Sequence, residues 1–143
     1  MIHIRRCRVE DFDVVILLLR QLWADKSIHP DLLRPIFESA LASESNTYLC
    51  ATFKSRVIGF GSCTLKDNLW PEGRLAYVDE LVVDSGFRGK GIGAQMLEQL
   101  VRFARDNGCC RIELVSAFYR GESHVFYERQ GFARRAFVFS KVL

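Results

Sequence analysis

The chain has 143 residues, a length that suits one domain built around a single hydrophobic core. Hydrophobic residues make up 49% and charged residues 26%, a globular composition that excludes disordered, collagen-like and low-complexity classes. The net charge of +3 is too small an excess to indicate nucleic-acid binding. No apolar run approaches the roughly 20 residues of a membrane span, and the first residues lack the apolar core of a secretory signal. We therefore expect a cytoplasmic domain over residues 1–143, with neither nucleic acid nor membrane as a partner.

Hydrophobic periodicity and turn residues predict ten elements in the order β α α β β β α β α β. The short link Ser55-Arg56 predicts an antiparallel hairpin, and a strand–helix–strand crossover follows it, so we expect an α/β (α+β) fold with a mixed sheet. In chain order the predicted elements are strand Ile2–Arg6, helices Asp11–Trp23 and Asp31–Ala42, strands Thr47–Lys54, Val57–Lys66 and Leu75–Asp84, helix Gly91–Asn107, strand Arg111–Ser116, helix Ser123–Gln130 and strand Phe137–Val142.

The cysteines are five in number and irregularly spaced: Cys7, Cys50, Cys63, Cys109 and Cys110. An odd count without a CxxC pair predicts neither a disulfide framework nor a zinc site. The residues around most of them are apolar, so we expect buried thiols. No other spacing of His, Cys, Asp and Glu indicates a metal, and we expect none.

Four glycines fall within the eight residues Gly86–Gly93, between the predicted strand Leu75–Asp84 and the helix that follows it. Bare backbone amides ahead of a helix N-terminus favour a bound anion, and Arg88 and Lys90 add two positive charges. This pattern indicates a pyrophosphate cradle, and a flexible turn with a solvated basic rim is the alternative. A Walker loop is excluded because Lys90 precedes Gly91 rather than Ser or Thr, and the glycine spacing excludes the dinucleotide fingerprint.

Two motifs in this order resemble the GCN5-related N-acetyltransferase (GNAT) family. Arg88-x-x-Gly91-x-Gly93, after Leu81-Val82-Val83, is similar to the family's acetyl-CoA-binding motif, and the later Phe126–Phe132 is similar to its FYxxxGF helix. The likeness runs furthest with small bacterial acetyltransferases that act on small primary amines, such as the aminoalkylphosphonate acetyltransferases. It implies one N-acetyltransferase domain with a mostly antiparallel sheet, about four helices and acetyl-CoA as cosubstrate. Family members often form dimers through edge strands or the last strand, so the apolar Phe137–Phe139 stretch suggests a homodimer.

The resemblance also implies which residues contact the cofactor. A backbone N–H in the segment Leu81-Val82-Val83 would polarise the thioester carbonyl, with the pantetheine arm lying between two splayed strands. Many relatives carry Asn where Arg120 stands and Ala where Ser123 stands. The full set of expected cofactor-binding residues is Leu81, Val82, Val83, Arg88, Gly89, Lys90, Gly91, Ile92, Gly93, Arg120, Ser123 and Arg129.

Attack on a thioester requires the neutral form of an amine, so the site needs a proton acceptor and a donor for the leaving thiolate. We expect Glu80 to be the general base and Tyr127 the general acid beside the cofactor sulfur. Period-two alternation puts Glu80 on one face of its strand with Val78, and Asp79 on the other, so only one of the two acids would face the site. An ion-paired Glu80 and a packed Tyr127 are the structural alternatives.

Three functions are compatible with these residues. The first is acetyl transfer to a small primary amine, with the loops Asn68–Arg74 and Asp25–His29 shaping the acceptor pocket. The second is acetylation of a protein or peptide, which would need an open groove, and the chain shows no acidic run for a histone-like tail. The third is a non-catalytic module that binds CoA, in which Glu80 and Tyr127 would point away from the thiol.

Overall fold

A computed structural model describes all residues of the chain, 1–143. Five strands form one sheet in the order β1-β2-β3-β4-β5, in which the first four are antiparallel and β5 is parallel to β4. This mixed, mostly antiparallel sheet with its four helices confirms the predicted fold class. The elements are β1 (Ile2–Arg6), α1 (Phe12–Leu22), α2 (Pro30–Leu41), β2 (Asn46–Phe53), β3 (Arg56–Asn68), β4 (Gly73–Val83), α3 (Ile92–Asp106), β5 (Cys109–Leu114) and α4 (Gly121–Arg129).

The helices cover both faces of the sheet. On the face covered by α1 and α2, the core is centred on Phe12 and Phe60. On the face covered by α3, the core contains Val78, Leu97 and Leu100, and the aromatic residues of α4 pack at its margin. The longest helix, α3, has 15 residues, and no helix has both the length and the apolar character that crossing a bilayer requires.

The last eleven residues, 133–143, form no strand, so the predicted strand Phe137–Val142 is wrong. They make no backbone–backbone hydrogen bond, and the side chain of Phe139 is 95% exposed. Side chains alone hold this tail near the sheet, because Arg135 Nε lies 2.7 Å from Glu113 Oε2 of β5 and the Phe137 ring lies 5.8 Å from that of Phe118. A strand forms only when its backbone hydrogen-bonds to a neighbouring strand. The backbone of the tail does not pair with β5, so its alternating apolar residues form no strand.

The cysteines divide into two groups. Cys7, Cys50 and Cys63 are buried as expected, whereas Cys109 is half-buried and Cys110 is exposed. The outward position of Cys110 follows from β5 being the edge strand of the sheet.

Candidate active site

A β-bulge in β4 brings two carboxylates to one face of the sheet. Ser62 of β3 pairs with Glu80 while the next residue, Cys63, pairs with Val78, so Asp79 has no partner residue. An extra residue interrupts the alternation of a strand and re-aims its side chains. The expectation that Asp79 and Glu80 lie on opposite faces is therefore wrong, as is the expectation that Val78 shares the face of Glu80: Val78 packs into the core beneath α3.

Hydroxyl groups of β3 hold both carboxylates. Ser62, which is fully buried, donates from Oγ to Glu80 Oε1 at 2.5 Å and accepts the Glu80 backbone N–H at 3.0 Å. Two residues along the strand, Thr64 Oγ1 donates to Asp79 Oδ2 at 2.5 Å. Because residues i and i+2 of a strand share a face, these two bonds fix the carboxylates side by side.

Burial raises the pKa of Glu80 above its usual range, and the nearby Asp79 adds to this, while the hydrogen bond from Ser62 opposes it. Burial likewise raises the pKa of Asp79 against the hydrogen bond from Thr64. Tyr48 of β2 faces the same group: burial, Glu80 and Asp79 together raise the pKa of Tyr48 to about 12. A carboxylate with a raised pKa binds a proton more readily near neutral pH, as a general base must.

A narrow cleft opens where β4 and β5 separate. The two strands pair only as far as Val78 and Leu114, so the edge of β4 from residue 79 to residue 83 has no strand beside it. The cleft there has a volume of about 60 Å³. Its lining residues come from β4, from the ends of α1 and β5 and from α4 with its N-cap: Leu22, Trp23, Val78, Asp79, Glu80, Leu81, Leu114, Val115, Arg120 and Tyr127.

A second, wider cleft of about 630 Å³ lies on the α2 side of the same carboxylates. It is lined by Pro35, Ile36, Ser39, Ala40, Ser43, Asn46, Tyr48, Thr64, Asp79 and Glu80. Its wall therefore carries two carboxylates and no Lys or Arg. Asp79 and Glu80 line both clefts. The two carboxylates therefore stand between a group bound in the narrow cleft and a group bound in the wide cleft.

Tyr127 shares the narrow cleft with Glu80. The Tyr127 ring packs edge-on against Phe126 at 5.1 Å and Phe132 at 5.9 Å between centroids. Burial raises the pKa of Tyr127, and the positive charge of Arg120 opposes this. The hydroxyl therefore keeps its proton at neutral pH and can donate it.

The glycine-rich segment forms an open loop before α3. Gly89 and Gly91 have φ angles of +76° and +78°, in the left-handed region that favours glycine, and nothing lies within 4 Å of a Cβ built on either residue. Gly91 is the N-cap of α3, and no side chain caps the helix. The first backbone N–H groups of α3 are thus left free of side-chain partners, in the arrangement that suits an anion.

The two cations of this loop are placed differently from each other. The Arg88 guanidinium is held by the protein, since Nε donates to the Val83 carbonyl at 2.9 Å and Nη2 lies 3.4 Å from Gln21 Oε1. The Lys90 ammonium lies over the Phe87 ring, 5.4 Å from its centroid. Arg88 therefore fixes the loop to the end of β4, while Lys90 stays on the exposed rim.

The other expected cofactor residues divide between the narrow cleft and the core. Leu81 and Arg120 line the narrow cleft, whereas the side chains of Val82 and Ile92 are buried in the core. Val83 packs against α3, and Gly93 in the first turn of α3 faces Phe126 of α4, with room for a Cβ in ordinary contact at 3.6 Å. Ser123 is half-buried in α4 outside the clefts, and Arg129 is exposed at the end of α4.

Sequence reasoning missed the residues that orient the carboxylates. Ser62 and Thr64 stand out in the sequence only as hydroxyls in an otherwise apolar predicted strand, Val57–Lys66. A polar residue at a buried strand position needs a partner, and that signal could have flagged Ser62. Tyr48 lines the wide cleft and Leu22 lines the narrow cleft. The sequence gives no signal for either residue, because aromatic and aliphatic residues are common in any core.

Comparisons with known proteins agree with this architecture. The profile of the acetyltransferase (GNAT) family matches residues 15–132. The aminoalkylphosphonate N-acetyltransferase of Salmonella typhimurium is 29% identical over 141 residues, covering 99% of this chain and 91% of the relative. The crystal structure of glucosamine-6-phosphate N-acetyltransferase from Arabidopsis thaliana superposes with a TM-score of 0.84 at 25% identity, covering 99% of this chain and 98% of the other. An aminoglycoside N-acetyltransferase solved in complex with CoA shares the fold, with a TM-score of 0.86 at 18% identity over 99% of this chain and 95% of the other. The chain belongs to the GNAT family of N-acetyltransferases.

Proposed function

We propose that the chain transfers an acetyl group from acetyl-CoA directly to the primary amine of a small molecule. The observation that carries this proposal is the position of Glu80 between the narrow cleft at the β4–β5 separation and the wide cleft beside α2. A base at that junction can reach an amine in one cleft while the acetyl group lies in the other.

Acetyl-CoA is the acetyl donor typical of the family, and this chain offers groups that fit it. The uncapped N-terminus of α3 and the open surface at Gly89 and Gly91 suit its diphosphate. The unpaired edge of β4 after Val78 suits an extended chain with amide groups, such as the pantetheine arm. When bound, acetyl-CoA supplies the activated thioester.

Glu80 accepts the proton that the amine must lose. A primary amine with a pKa near 10.4 is well under 1% neutral at pH 7, so attack depends on a base beside it. The raised pKa of Glu80 brings this carboxylate closer to working pH and makes it a stronger base. It remains ionised only above that raised pKa, so we expect activity to fall as the solution is made acidic.

Tyr127 supplies the proton for the leaving thiolate. Tyr127 lines the same narrow cleft as Glu80, and burial keeps its hydroxyl protonated. Backbone N–H groups on the unpaired edge of β4, within Leu81–Val83, are the donors available to a developing oxyanion, and removal of one such donor typically costs about 10²–10³ in rate. No covalent intermediate on the protein is required.

The wide cleft suits a cationic acceptor. Its wall holds Asp79 and Glu80 and no basic side chain, so an ammonium group is attracted and a phosphate or phosphonate is not paired. Among small amines we therefore expect diamines to be better acceptors than aminoalkylphosphonates, although a relative is named for acetylating the latter.

The test is release of free CoA from acetyl-CoA with a panel of diamines, aminoalkylphosphonates, aminoglycosides and peptides. Glu80→Gln should lower the rate most near neutral pH and recover toward the pKa of the amine, and Tyr127→Phe should slow turnover by about 10²-fold. Glu98→Gln and Tyr119→Phe change exposed residues of the same types and should leave the rate unaltered.

Each contrary outcome identifies a different function. Turnover with peptides alone would make the chain a peptide acetyltransferase. Binding of acetyl-CoA without turnover of any amine would make it a non-catalytic CoA-binding module. A Glu80→Gln rate equal to that of the unaltered protein at every pH would remove Glu80 from the mechanism.

We also infer that the chain forms a homodimer through the free edge of β5. The tail 133–143 has its backbone unpaired, and Phe139 is almost fully exposed. Unpaired strand edges and exposed apolar chain are both satisfied when a second copy adds a strand. The tail already lies beside β5 through Arg135 and Glu113, which places it at that edge.

A further inference from the structure

Two cysteine side chains meet in the core on the α1 side of the sheet, and neither residue lines a cleft. Cys7 follows β1 and donates its backbone N–H to the Tyr48 carbonyl at 2.8 Å, while Cys50 lies within β2. Their Sγ atoms are 2.6 Å apart. That distance is shorter than an ordinary non-bonded contact of about 3.5 Å, so the two sulfurs need only a small shift to reach the disulfide bond length of about 2.05 Å. We propose that Cys7 and Cys50 form an intramolecular disulfide on exposure to peroxide.

A metal ion is the competing explanation of this cluster, because the ligand atoms of Cys7, Asp11 and Cys50 lie within 4.8 Å of one another. A closed structural zinc site takes four ligands, and this cluster offers three. Asp11 is moreover already engaged: its two oxygens accept from the Arg5 guanidinium at 2.8 and 3.0 Å, and Oδ2 also accepts the Arg8 backbone N–H at 2.7 Å. The positive charge of Arg5 would repel a cation, so the geometry favours the sulfur pair.

Oxidation of the pair is balanced by one molecule of hydrogen peroxide. One sulfur attacks a peroxide oxygen and becomes a sulfenic acid, and the hydroxide released takes up the thiol proton to give water. The second thiol then attacks the sulfenic sulfur, the S–S bond forms, and the hydroxyl leaves with the second thiol proton as another water. The two sulfurs together lose two electrons, which reduce the peroxide.

Burial makes this reaction slow in the folded chain. Cys50 is inaccessible to solvent and Cys7 nearly so. Their mutual hydrogen bond and burial raise the pKa of Cys7, so thiolate is scarce there. Access comes through opening of β1, which is an edge strand paired only with β2. The same shelter protects the disulfide from reductants once it has formed.

The cross-link would join the end of β1 to β2 and close a loop of the chain. The segment between Cys7 and Cys50 contains both α1 and α2, and α2 forms one wall of the wide cleft. Closing a loop of this length restricts the unfolded chain, and we expect the melting temperature of the oxidised protein to exceed that of the reduced protein by about 10 °C.

The experiment compares full-length folded protein held in reductant with the same protein treated with hydrogen peroxide. After denaturation, all five cysteines should react with a thiol reagent in the reduced protein, whereas Cys7 and Cys50 should no longer react in the treated protein. Peptide mapping by mass spectrometry should find the peptide of Cys7 joined to that of Cys50. Cys50→Ala should abolish the joined peptide and the rise in melting temperature, and Cys110→Ser, at an exposed position, should keep both.

Three outcomes would overturn the proposal. The first is retention of all five thiols after treatment of the unaltered protein, a result that needs no variant to fold. The second is a cross-link confined to other cysteines. The third is stoichiometric zinc in the reduced protein that is lost in Cys50→Ala, which would make the cluster a metal site. None of these bears on acetyl transfer.

Discussion

Replacement of Ser62 by alanine tests how much the activity depends on the hydrogen bonds that hold Glu80, because the Glu80 carboxyl itself is kept. The Ser62 hydroxyl makes two hydrogen bonds to the same residue, one to Oε1 and one from the backbone N–H. The bond to the carboxylate favours its ionised form. Hydrogen bonds to charged groups contribute about 1.5–3 kcal/mol, and about 1.4 kcal/mol changes an equilibrium constant tenfold. Loss of this bond raises the pKa of Glu80 further, so we expect the rate at neutral pH to fall by about tenfold or more.

The sign of the pH effect follows from the direction of this change. With a higher pKa, less Glu80 is ionised at neutral pH, so the acid limb of the kcat/KM profile should move to higher pH. The rate should approach that of the unaltered protein in alkaline solution. Loss of the two Ser62 hydrogen bonds should also lower the free energy of unfolding by about 1–3 kcal/mol, or the melting temperature by about 3–10 °C.

The assay is CoA release measured from pH 6 to pH 10 with a fixed acceptor amine. Thr64→Val is the matched control, because it removes the neighbouring hydroxyl bond to Asp79 and leaves the Ser62–Glu80 pair in place. The Thr64 variant should keep the acid limb where it is. A Ser62→Ala profile that coincides with that of the unaltered protein, or equal displacement in both variants, would refute the reasoning.

Other parts of the molecule can be probed separately. Glu80→Gln should raise the melting temperature at pH 7.5, because a buried carboxyl with a raised pKa lowers stability once it ionises. Calorimetry should show that this gain in melting temperature disappears toward pH 4. A gain that stays constant with pH would contradict this account. Gly91→Ala should raise the KM for acetyl-CoA, whereas Gly108→Ala, at a similar φ of +75°, should cost similar stability with no change in KM; equal KM values would argue against the cradle. Phe139→Asp should convert a dimer to a monomer in analytical ultracentrifugation, and a monomeric unaltered protein would exclude the dimer.

The order of the first nine elements could be predicted because local patterns determine it. Helix α3 is an example, since its apolar residues recur at helical spacing and glycines lie on both sides, at Gly91 and Gly108. The open glycine loop before α3 could be predicted for the same reason, because it depends on backbone freedom within a few consecutive residues. The sequence identified Arg88 as a residue of this loop but could not predict its contacts. The guanidinium binds Val83 and Gln21, and no spacing rule indicates either contact.

The pairing within the site could not be predicted from alternation. The bulge at Asp79 depends on how β4 registers with β3, and register is a property of two strands that are distant in sequence. The tail shows a second feature that local sequence does not determine. Phe137–Val142 has the composition of a strand, but strand formation requires a partner, and the sequence of one chain does not reveal whether that partner belongs to the same copy.

The bulge has a consequence for insertions and deletions in β4. Loss of the single codon for Asp79 would restore continuous pairing with β3 and leave Glu80 on its present face, because Val78 and Leu81 already point the other way. A straightened β4 could then run alongside β5 beyond Leu114 and close the gap between them. Such an in-frame deletion would yield a folded chain whose narrow cleft is closed, so the loss of one residue would abolish catalysis and spare the fold.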